Sequence, residues 1–281
     1  MRNAPIGVFD SGVGGLTVLE ALIARLPREH FVYLGDTARL PYGTKSPATV
    51  ARYCLQAAEA LTEYGVKCLV IACNTASSVG LPTIIEHIEN VPVIGVIEPG
   101  ARAACAASRS GKIAVIATEG TVRGGAYQQA ILRIRPDAHV NAEPAPLFVA
   151  LAEEGLNEGS IANDIARHYL QPMFVSGARD SDTLDTGARA PDTLVLGCTH
   201  FPMLTGAIRN AVGPEVSIVD SAQTTAISVE AQLHAAGLAR TRGNGGSVRL
   251  LATDGRERFA RVGSQFLKRT IAADEVELVD L

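Results

Sequence analysis

Eight short apolar runs recur along this chain of 281 residues, and segments with a helical pattern separate most of them. The runs are IGVF, FVYLG, CLVIA, VPVIGV, KIAVIA, TLVLG, VSIV and VRLLA. Strands that are apolar on both faces are typical of parallel sheets covered by helices on each side. The alternation therefore predicts an α/β fold built from doubly wound, mainly parallel sheets.

Two of the intervening segments carry clear helix signals. In GLTVLEALIARLP, apolar residues recur at helical spacing before a proline that ends the segment: Leu16, Leu19, Leu22, Ile23 and Leu26. In SPATVARYCLQAAEALTEYG, Ser46 is a candidate N-cap, Pro47 suits the first turn, and Gly65 suits the end of the helix. Each segment lies between two predicted strands, as an α/β fold requires.

A weak internal repeat divides the chain into two similar parts. PIGVFDSGVGGLTVLEAL and KIAVIATEGTVRGGAYQQAI are both typical of a strand, a polar loop with glycine, and a helix. Each is followed by a later strand that ends in cysteine. We therefore expect two pseudosymmetric α/β domains facing a central cleft, with both cysteine loops at the carboxyl ends of strands, where open parallel sheets bind ligands. The polar stretch Ser176–Pro191 is predicted to be an exposed loop insertion.

Composition argues against several classes of function. The net charge is −4, and lysine and arginine are scattered, so we expect no nucleic-acid partner. No apolar run approaches the roughly 20 residues of a membrane span, so we expect no membrane partner either. The first predicted strand begins almost at the N-terminus, so we expect no signal peptide. The five cysteines are an odd number without a disulfide pattern, which indicates reduced thiols and a cytoplasmic location.

Two of the cysteines directly follow predicted strands. Cys73 begins CNTAS after CLVIA, and Cys198 begins CTHFP after TLVLG. One interpretation is that both are small buried hydrophobic residues, as we interpret Cys54, Cys68 and Cys105. The other is that each thiol lies near a helix N-terminus, which lowers the pKa of a thiol from about 8.5 toward neutrality and suits it to proton transfer. Two such thiols on opposite walls of a cleft could remove a proton from one face of a carbon and return a proton to the other face, which inverts a stereocentre.

Two glycine-containing loops could contribute to a site near these cysteines. FDSGVGG lacks the dinucleotide-binding fingerprint, because Thr17 stands where the third glycine is needed. Its glycines either allow a tight turn or let backbone N–H groups bind a small carboxylate, with Asp10 as a base or an orienting group. The PYG stretch at residues 41–43, together with Asp36, is either a plain turn or part of the same site.

A histidine and two glutamates are further candidates. His200, two residues after Cys198, either adjusts that thiol or binds substrate, or it is a capped surface histidine. Glu153 and Glu154 follow the apolar stretch PLFVALA and are either a solvated helix end or a partner for His200.

These motifs together resemble the glutamate racemase family. FDSGVGG, GDTARLPYG, ACNTAS, PLFVALAEEG and GCTHFP occur in the family's order and near its spacing, and they extend over essentially the whole chain. The resemblance implies interconversion of L- and D-glutamate without a cofactor or a metal, which supplies D-glutamate for peptidoglycan. It also implies a homodimer and two pseudosymmetric domains, the first formed by residues 1–98 and 214–281 and the second by residues 99–213.

The resemblance further implies a role for each candidate residue. Cys73 and Cys198 would be the acid/base thiols, with Asp10 assisting Cys73, and Glu153 and His200 assisting Cys198. Substrate contacts would come from Asp10, Ser11, Tyr42, Gly43, Asn74, Thr75, Thr199 and His200. The choice of Glu153 over Glu154 rests on the alignment of LAEEG.

Other functions stay open beside this one. A two-cysteine racemase of the same superfamily that acts on aspartate is the first, although relatives acting on aspartate typically have Glu where His200 stands. A zinc site of Cys73, Cys198 and His200 with one open position is the second. A non-catalytic amino-acid-binding protein is the third. A pyridoxal cofactor is not expected, because none of the four lysines lies beside a phosphate-binding loop.

Overall fold

In the described residues of the computed structural model, 2–174, 190–243 and 245–281, ten strands form two separate sheets. The strands are β1 Ile6–Asp10, β2 Phe31–Gly35, β3 Cys68–Ile71, β4 Val93–Gly95, β5 Lys112–Ala117, β6 His139–Pro144, β7 Thr193–Gly197, β8 Ser217–Asp220, β9 Val248–Ala252 and β10 Val276–Leu278. The first sheet has the order β10-β9-β2-β1-β3-β4, and the second has the order β6-β5-β7-β8. Every pairing between these strands is parallel, which confirms the predicted α/β architecture.

Twelve α-helices accompany the two sheets in this part of the chain. They are α1 Leu16–Arg25, α2 Pro47–Thr62, α3 Asn74–Val79, α4 Leu81–His87, α5 Ile97–Ala107, α6 Glu119–Gly124, α7 Ala126–Ile134, α8 Leu147–Glu153, α9 Gly159–Phe174, α10 Thr205–Val212, α11 Ser221–Ala235 and α12 Arg256–Phe266. Short 3-10 helices cover Tyr42–Thr44, Phe201–Leu204 and Ala273–Glu275. We call the first sheet with its helices the first half, and the second sheet with its helices the second half.

Helix α2 begins where its sequence predicts. The Ser46 hydroxyl accepts a hydrogen bond from the N–H of Thr49 at 3.3 Å, and Pro47 occupies the first turn, where no N–H is needed. The helix ends at Thr62, slightly before Gly65, whose positive φ of 65° turns the chain away.

All eight predicted strands are present, and two further strands lack an apolar run. Strand β6 is the edge of the second sheet, and its residues are exposed or only partly buried. Strand β10 is the edge of the first sheet and is three residues long. An edge strand with a solvated face needs no continuous apolar sequence, so the pattern that found the central strands could not find these two.

The second sheet extends further along the chain than the predicted domain boundary allowed. Strand β8 pairs with β7, and Leu194 lies opposite Ile218, so this segment belongs to the second half. The boundary predicted at residue 213 placed it in the first domain and is corrected here. Its apolar run is equally compatible with either sheet, because sequence periodicity does not specify the neighbouring strand.

The two halves share part of their hydrophobic core. One cluster of buried side chains combines Leu16 and Phe266 of the first half with Leu194 and Phe201 of the second. Helix α11 contacts both α1 and α5. This shared packing holds the two walls of the cleft in a defined relative position.

None of the helices in the described ranges is long and apolar enough to cross a membrane. The predicted loop Ser176–Pro191 lies outside the described residues up to position 189.

Candidate active site

A cavity of about 380 Å³ lies between the two halves, where the loops that follow β1, β3, β5 and β7 meet. Ten of the eleven residues predicted for the site line it: Ser11, Tyr42, Gly43, Cys73, Asn74, Thr75, Glu153, Cys198, Thr199 and His200. The eleventh, Asp10, is 1% exposed and does not line the cavity, although its neighbour Ser11 does. The sequence thus identified residues that the fold brings together from both halves.

Cys73 stands between β3 and α3 and acts as the N-cap of that helix. Its thiol donates to Ser11 Oγ at 3.5 Å, and its Sγ accepts the N–H of Ala76 at 3.4 Å. Burial first, and the negative charge of Asp10 second, raise the pKa of this thiol to about 12, and the contacts with Ser11 and Ala76 oppose this rise only in part. The expectation of a lowered pKa at Cys73 was therefore wrong. The helix N-terminus is present, but desolvation outweighs it, so Cys73 rests as a neutral thiol.

Asp10 is held at the end of β1. Its Oδ2 accepts the N–H of Gly12 at 2.9 Å, while Oδ1 has no hydrogen-bond partner among the described residues. Burial raises the pKa of this carboxyl group, although the charge of His200 and the N–H groups of Gly12 and Gly15 oppose the change. A carboxyl group with one unsatisfied oxygen next to the cavity can orient a proton-transfer partner.

On the opposite wall, four side chains form a continuous line from Cys198 to the surface. Cys198 Sγ lies 3.7 Å from His200 Nδ1, His200 Nε2 lies 3.0 Å from Glu153 Oε1, and Arg258 Nη2 donates to Glu153 Oε2 at 2.7 Å. Cys198 follows β7, Glu153 ends α8, and Arg258 lies on α12 of the first half. The line therefore crosses the cleft.

The charges along this line reinforce one another. Burial raises the pKa of Glu153, but the hydrogen bonds and positive charges of His200 and Arg258 together lower it to about 2. Burial lowers the pKa of His200, but the hydrogen bonds and charges of Cys198 and Glu153 outweigh burial and raise it to about 10. His200 is therefore an imidazolium at neutral pH, with Nε2–H directed to Glu153 and Nδ1–H available to Cys198 Sγ.

The geometry distinguishes between the two neighbouring glutamates. The Glu153 side chain is 15% exposed and reaches His200, whereas Glu154 is exposed beyond the last residue of α8. Successive helical positions point about 100° apart, so only one of the pair can face the cavity.

The glycine loop FDSGVGG lets the two halves approach closely. A Cβ atom at Gly14 would lie 2.4 Å from His200 Cε1 and Thr199 Oγ1. Thr17, just beyond the loop, donates its hydroxyl proton to the Thr199 carbonyl oxygen at 2.9 Å. Gly14 therefore allows the loop after β1 to pack closely against the loop that carries Cys198 and His200.

The loop with Tyr42 and Gly43 is anchored by Asp36, which is fully buried at the end of β2. Asp36 Oδ2 accepts hydrogen bonds from the Tyr42 hydroxyl and from Arg39 Nε, and Oδ1 accepts one from Thr253 Oγ1 at 3.0 Å. Three charge-assisted hydrogen bonds fix the loop against the cavity, so it is more than a plain turn.

A family model described as Asp/Glu/Hydantoin racemase matches residues 6–178. The chain belongs to this racemase family. A glutamate racemase from Geobacter metallireducens is 48% identical to it over 262 residues, which are 93% of this chain and 92% of that protein.

Solved structures of glutamate racemases superpose on this racemase over their full length. An isoform from Bacillus anthracis gives a TM-score of 0.90 at 34% identity and covers 100% of this chain and 99% of its own. The enzyme from Francisella tularensis in complex with D-glutamate gives 0.87 at 34% identity, with 100% and 98% covered. These matches identify this family member as an isomerase of the glutamate racemase type.

Two threonines of the racemase join the site without having been predicted. Thr118 Oγ1 lines the cavity and lies 2.9 Å from Thr75 Oγ1, and Thr121 Oγ1 lies within 3.2 Å of both. The internal repeat contained a signal for Thr118, because this residue directly follows β5 as Ser11 directly follows β1. Arg258 could not be found this way, since nothing in its sequence context links α12 to LAEEG.

The zinc alternative is not supported by the geometry. Within the described ranges, no group of three or more His, Cys, Asp or Glu side chains is arranged to hold a metal ion. His200 instead directs its two ring nitrogens to Glu153 and toward Cys198.

Proposed function

We propose that this racemase interconverts L- and D-glutamate without a cofactor, with Cys73 and Cys198 as the two acid/base groups. The observation that carries the proposal is that both thiols line one cavity from opposite halves, each with its own assisting carboxyl group. Asp10 accompanies Cys73, and Glu153 acts on Cys198 through His200. Inversion at carbon needs a base on one face and an acid on the other, and a cavity with a thiol on each wall supplies both.

The two thiols have different surroundings. Cys198 Sγ lies 3.7 Å from Nδ1 of the His200 imidazolium, whereas burial and the charge of Asp10 raise the pKa of Cys73 and keep its thiol protonated. In one direction the Cys198 thiolate removes the Cα proton, the electron pair stays on Cα as a carbanion, and the Cys73 thiol gives its proton to the opposite face. In the reverse direction the roles exchange. By family resemblance, Cys198 acts on L-glutamate and Cys73 on D-glutamate.

Glutamate is the proposed substrate because the cavity offers donors for two carboxylates. The side chains of Ser11, Asn74, Thr75 and Thr199 line it, and hydroxyl and amide groups donate to carboxylate oxygens. Asn74, Thr75 and Thr199 are buried, and a site with little water strengthens these interactions and helps to stabilise the carbanion. His200, rather than the glutamate typical of relatives acting on aspartate, points to the same substrate.

The experiment is proton NMR of L-glutamate with the protein in D₂O, with L-aspartate in a parallel sample. We expect the α-proton signal of glutamate to disappear as D-glutamate forms, with no change in aspartate, and activity to survive dialysis against a chelator. Faster turnover of aspartate would support the aspartate-type alternative. Binding of glutamate without exchange would support a binding protein.

The cellular role follows from the same family resemblance. We propose that the product D-glutamate supplies peptidoglycan synthesis in the cytoplasm, where the five free thiols would stay reduced, and that the enzyme is a homodimer. Cells depleted of the protein should require D-glutamate for growth, and light scattering should give twice the chain mass.

A further inference from the structure

Tyr127 connects the loops of both catalytic cysteines, although it is not one of the residues assigned to the site above. Its hydroxyl donates to Asn74 Oδ1 at 2.8 Å, and Asn74 directly follows Cys73. Its ring lies against Gly197, which directly precedes Cys198, because a Cβ atom there would be 3.0 Å from Tyr127 Cε2. The residue belongs to α7 of the second half and is 1% exposed.

The hydrogen bond determines which end of the Asn74 amide faces the cavity. Asn74 is 2% exposed and lines the cavity, and its Nδ2 has no hydrogen-bond partner in the described part of the chain. A buried NH₂ group without a partner is costly, so its presence indicates a ligand that accepts from it. With Oδ1 engaged by Tyr127, the two N–H donors are the group left for an anionic substrate.

The Tyr127 ring is fixed from two sides, which makes it a rigid support. A Cβ atom at Gly100 of α5 would lie 3.1 Å from its Cε1, opposite the contact with Gly197. Burial raises the pKa of the phenol well above its ordinary value, and the charges of Asp220 and Cys198 act in the same direction. The hydroxyl therefore keeps the proton that it donates.

We propose that Tyr127 is a positioning residue that fixes the amide of Asn74 with Nδ2 toward the cavity, so that it binds a carboxylate of the substrate. This inference rests on the proposed function. It predicts that Tyr127 acts on substrate affinity through Asn74 and not on the chemistry of the thiols.

The first test compares Tyr127→Phe, Asn74→Ala and the double variant. Tyr127→Phe keeps the ring and its packing and removes only the hydroxyl group. We expect a cooperative urea transition with a modestly lower midpoint, because the buried Asn74 Oδ1 loses its partner. We expect its KM for both enantiomers of glutamate to rise about threefold to tenfold with little change in kcat. The double variant should have a KM within about twofold of Asn74→Ala, because the hydroxyl then has nothing to orient. Tyr64→Phe, beside Arg249 and outside the cavity lining, is the matched control and should match the wild type.

A second variant tests the orientation without changing Tyr127. Asn74→Asp keeps an oxygen that accepts from the Tyr127 hydroxyl but places a second oxygen where Nδ2 stood. We expect its KM to exceed that of Asn74→Ala by about tenfold, because that oxygen repels a substrate carboxylate. Equal KM values for Asn74→Asp and Asn74→Ala would overturn the inference. A wild-type KM in Tyr127→Phe would also overturn it. So would a double variant whose increase in KM equals the product of the increases in the two single variants. Failure of the wild type to racemise glutamate would instead refute the proposed function.

Discussion

Arg258 and Glu153 join the two halves of the molecule through an ion pair, with Nη2 2.7 Å from Oε2. Glu153 in turn reaches His200, so a residue on the first half helps to hold His200 of the second half. The Arg258 side chain is 45% exposed and that of Glu153 only 15%, so solvent screens this pair in part. The contribution of Arg258 is therefore to keep Glu153 ionised and directed at His200, with a modest effect on stability.

Arg258→Ala should shift the acidic limb of the pH profile of kcat/KM for L-glutamate. Arg258 is one of the groups that lower the pKa of Glu153 to about 2, so its loss raises that pKa and Glu153 takes up a proton at a higher pH. We expect kcat/KM at neutral pH to fall about twofold to fivefold, in line with the roughly 0.2–1 kcal/mol of an exposed ion pair, and the acidic limb to shift to higher pH. Because the pKa of Glu153 is about 2, the measurement is kcat/KM for L-glutamate from pH 2 to 9, over the range in which circular dichroism shows both proteins to be folded.

Two further variants serve as controls for this prediction. Arg258→Lys keeps the charge and should recover most of the shift, whereas Arg261→Ala, on an exposed position of the same helix, should leave the profile unchanged. An Arg258→Ala profile that superposes on the wild type would show that Glu153 does not depend on this ion pair.

Glu153→Gln and Glu154→Gln form a matched pair that decides between the two glutamates. Glu153→Gln removes the carboxylate that holds the imidazolium of His200, and a hydrogen bond to a charged group is worth about 1.5–3 kcal/mol. We expect kcat/KM to fall about tenfold to a hundredfold, while Glu154→Gln stays within twofold of the wild type. Comparable losses in the two variants, in steady-state assays of both directions, would contradict the assignment.

The surroundings of the two thiols predict unequal alkylation at neutral pH. Iodoacetamide reacts with thiolates, and burial together with the charge of Asp10 raises the pKa of Cys73 to about 12. Cys73 should therefore be modified more slowly than Cys198, whose Sγ lies 3.7 Å from the imidazolium of His200. Mass spectrometry of peptides after short exposure gives the ratio, and glutamate should protect both residues. Faster modification of Cys73 than of Cys198 would contradict the raised pKa of Cys73.

Sequence patterns predicted the features that depend on neighbouring residues. They failed for features that depend on packing between segments far apart in the sequence. Cys73 and Cys198 were located because both directly follow buried strands, and Ser46 was recognised as a helix N-cap from its own neighbourhood. The pKa of Cys73 was predicted in the wrong direction, since burial of its thiol depends on the whole fold. Arg258 meets Glu153 only because α12 returns to the first sheet after more than a hundred residues, which no local pattern encodes.

Gly14→Ala tests the close approach of the two halves. The added methyl group would lie 2.4 Å from His200 Cε1 and Thr199 Oγ1, and relief requires a shift of the loop that carries Cys198. We expect a loss of about 1–3 kcal/mol in the free energy of unfolding, measured in urea, together with a lower kcat. Gly206→Ala, on α10 with nothing within 4 Å of the new Cβ atom, should be neutral or slightly stabilising. A Gly14→Ala protein with wild-type stability and kcat would show that the loops move apart at no cost.

Replacing each cysteine separately tests why the site has two thiols. A serine hydroxyl has a similar shape but a far higher pKa, so Cys73→Ser and Cys198→Ser should each reduce racemisation about 10²–10⁴-fold. The thiol that remains can still remove the α-proton from the enantiomer that presents it and return a deuteron from D₂O to the same face. We therefore expect Cys73→Ser to exchange the α-proton of L-glutamate and Cys198→Ser to exchange that of D-glutamate, each without inversion. NMR measures the exchange, and chiral chromatography measures the inversion.

Cys105→Ser, outside the cavity lining, is the control and should behave as the wild type. Exchange of the same enantiomer by both variants, or near wild-type racemisation by either, would rule out a mechanism in which each thiol serves one face.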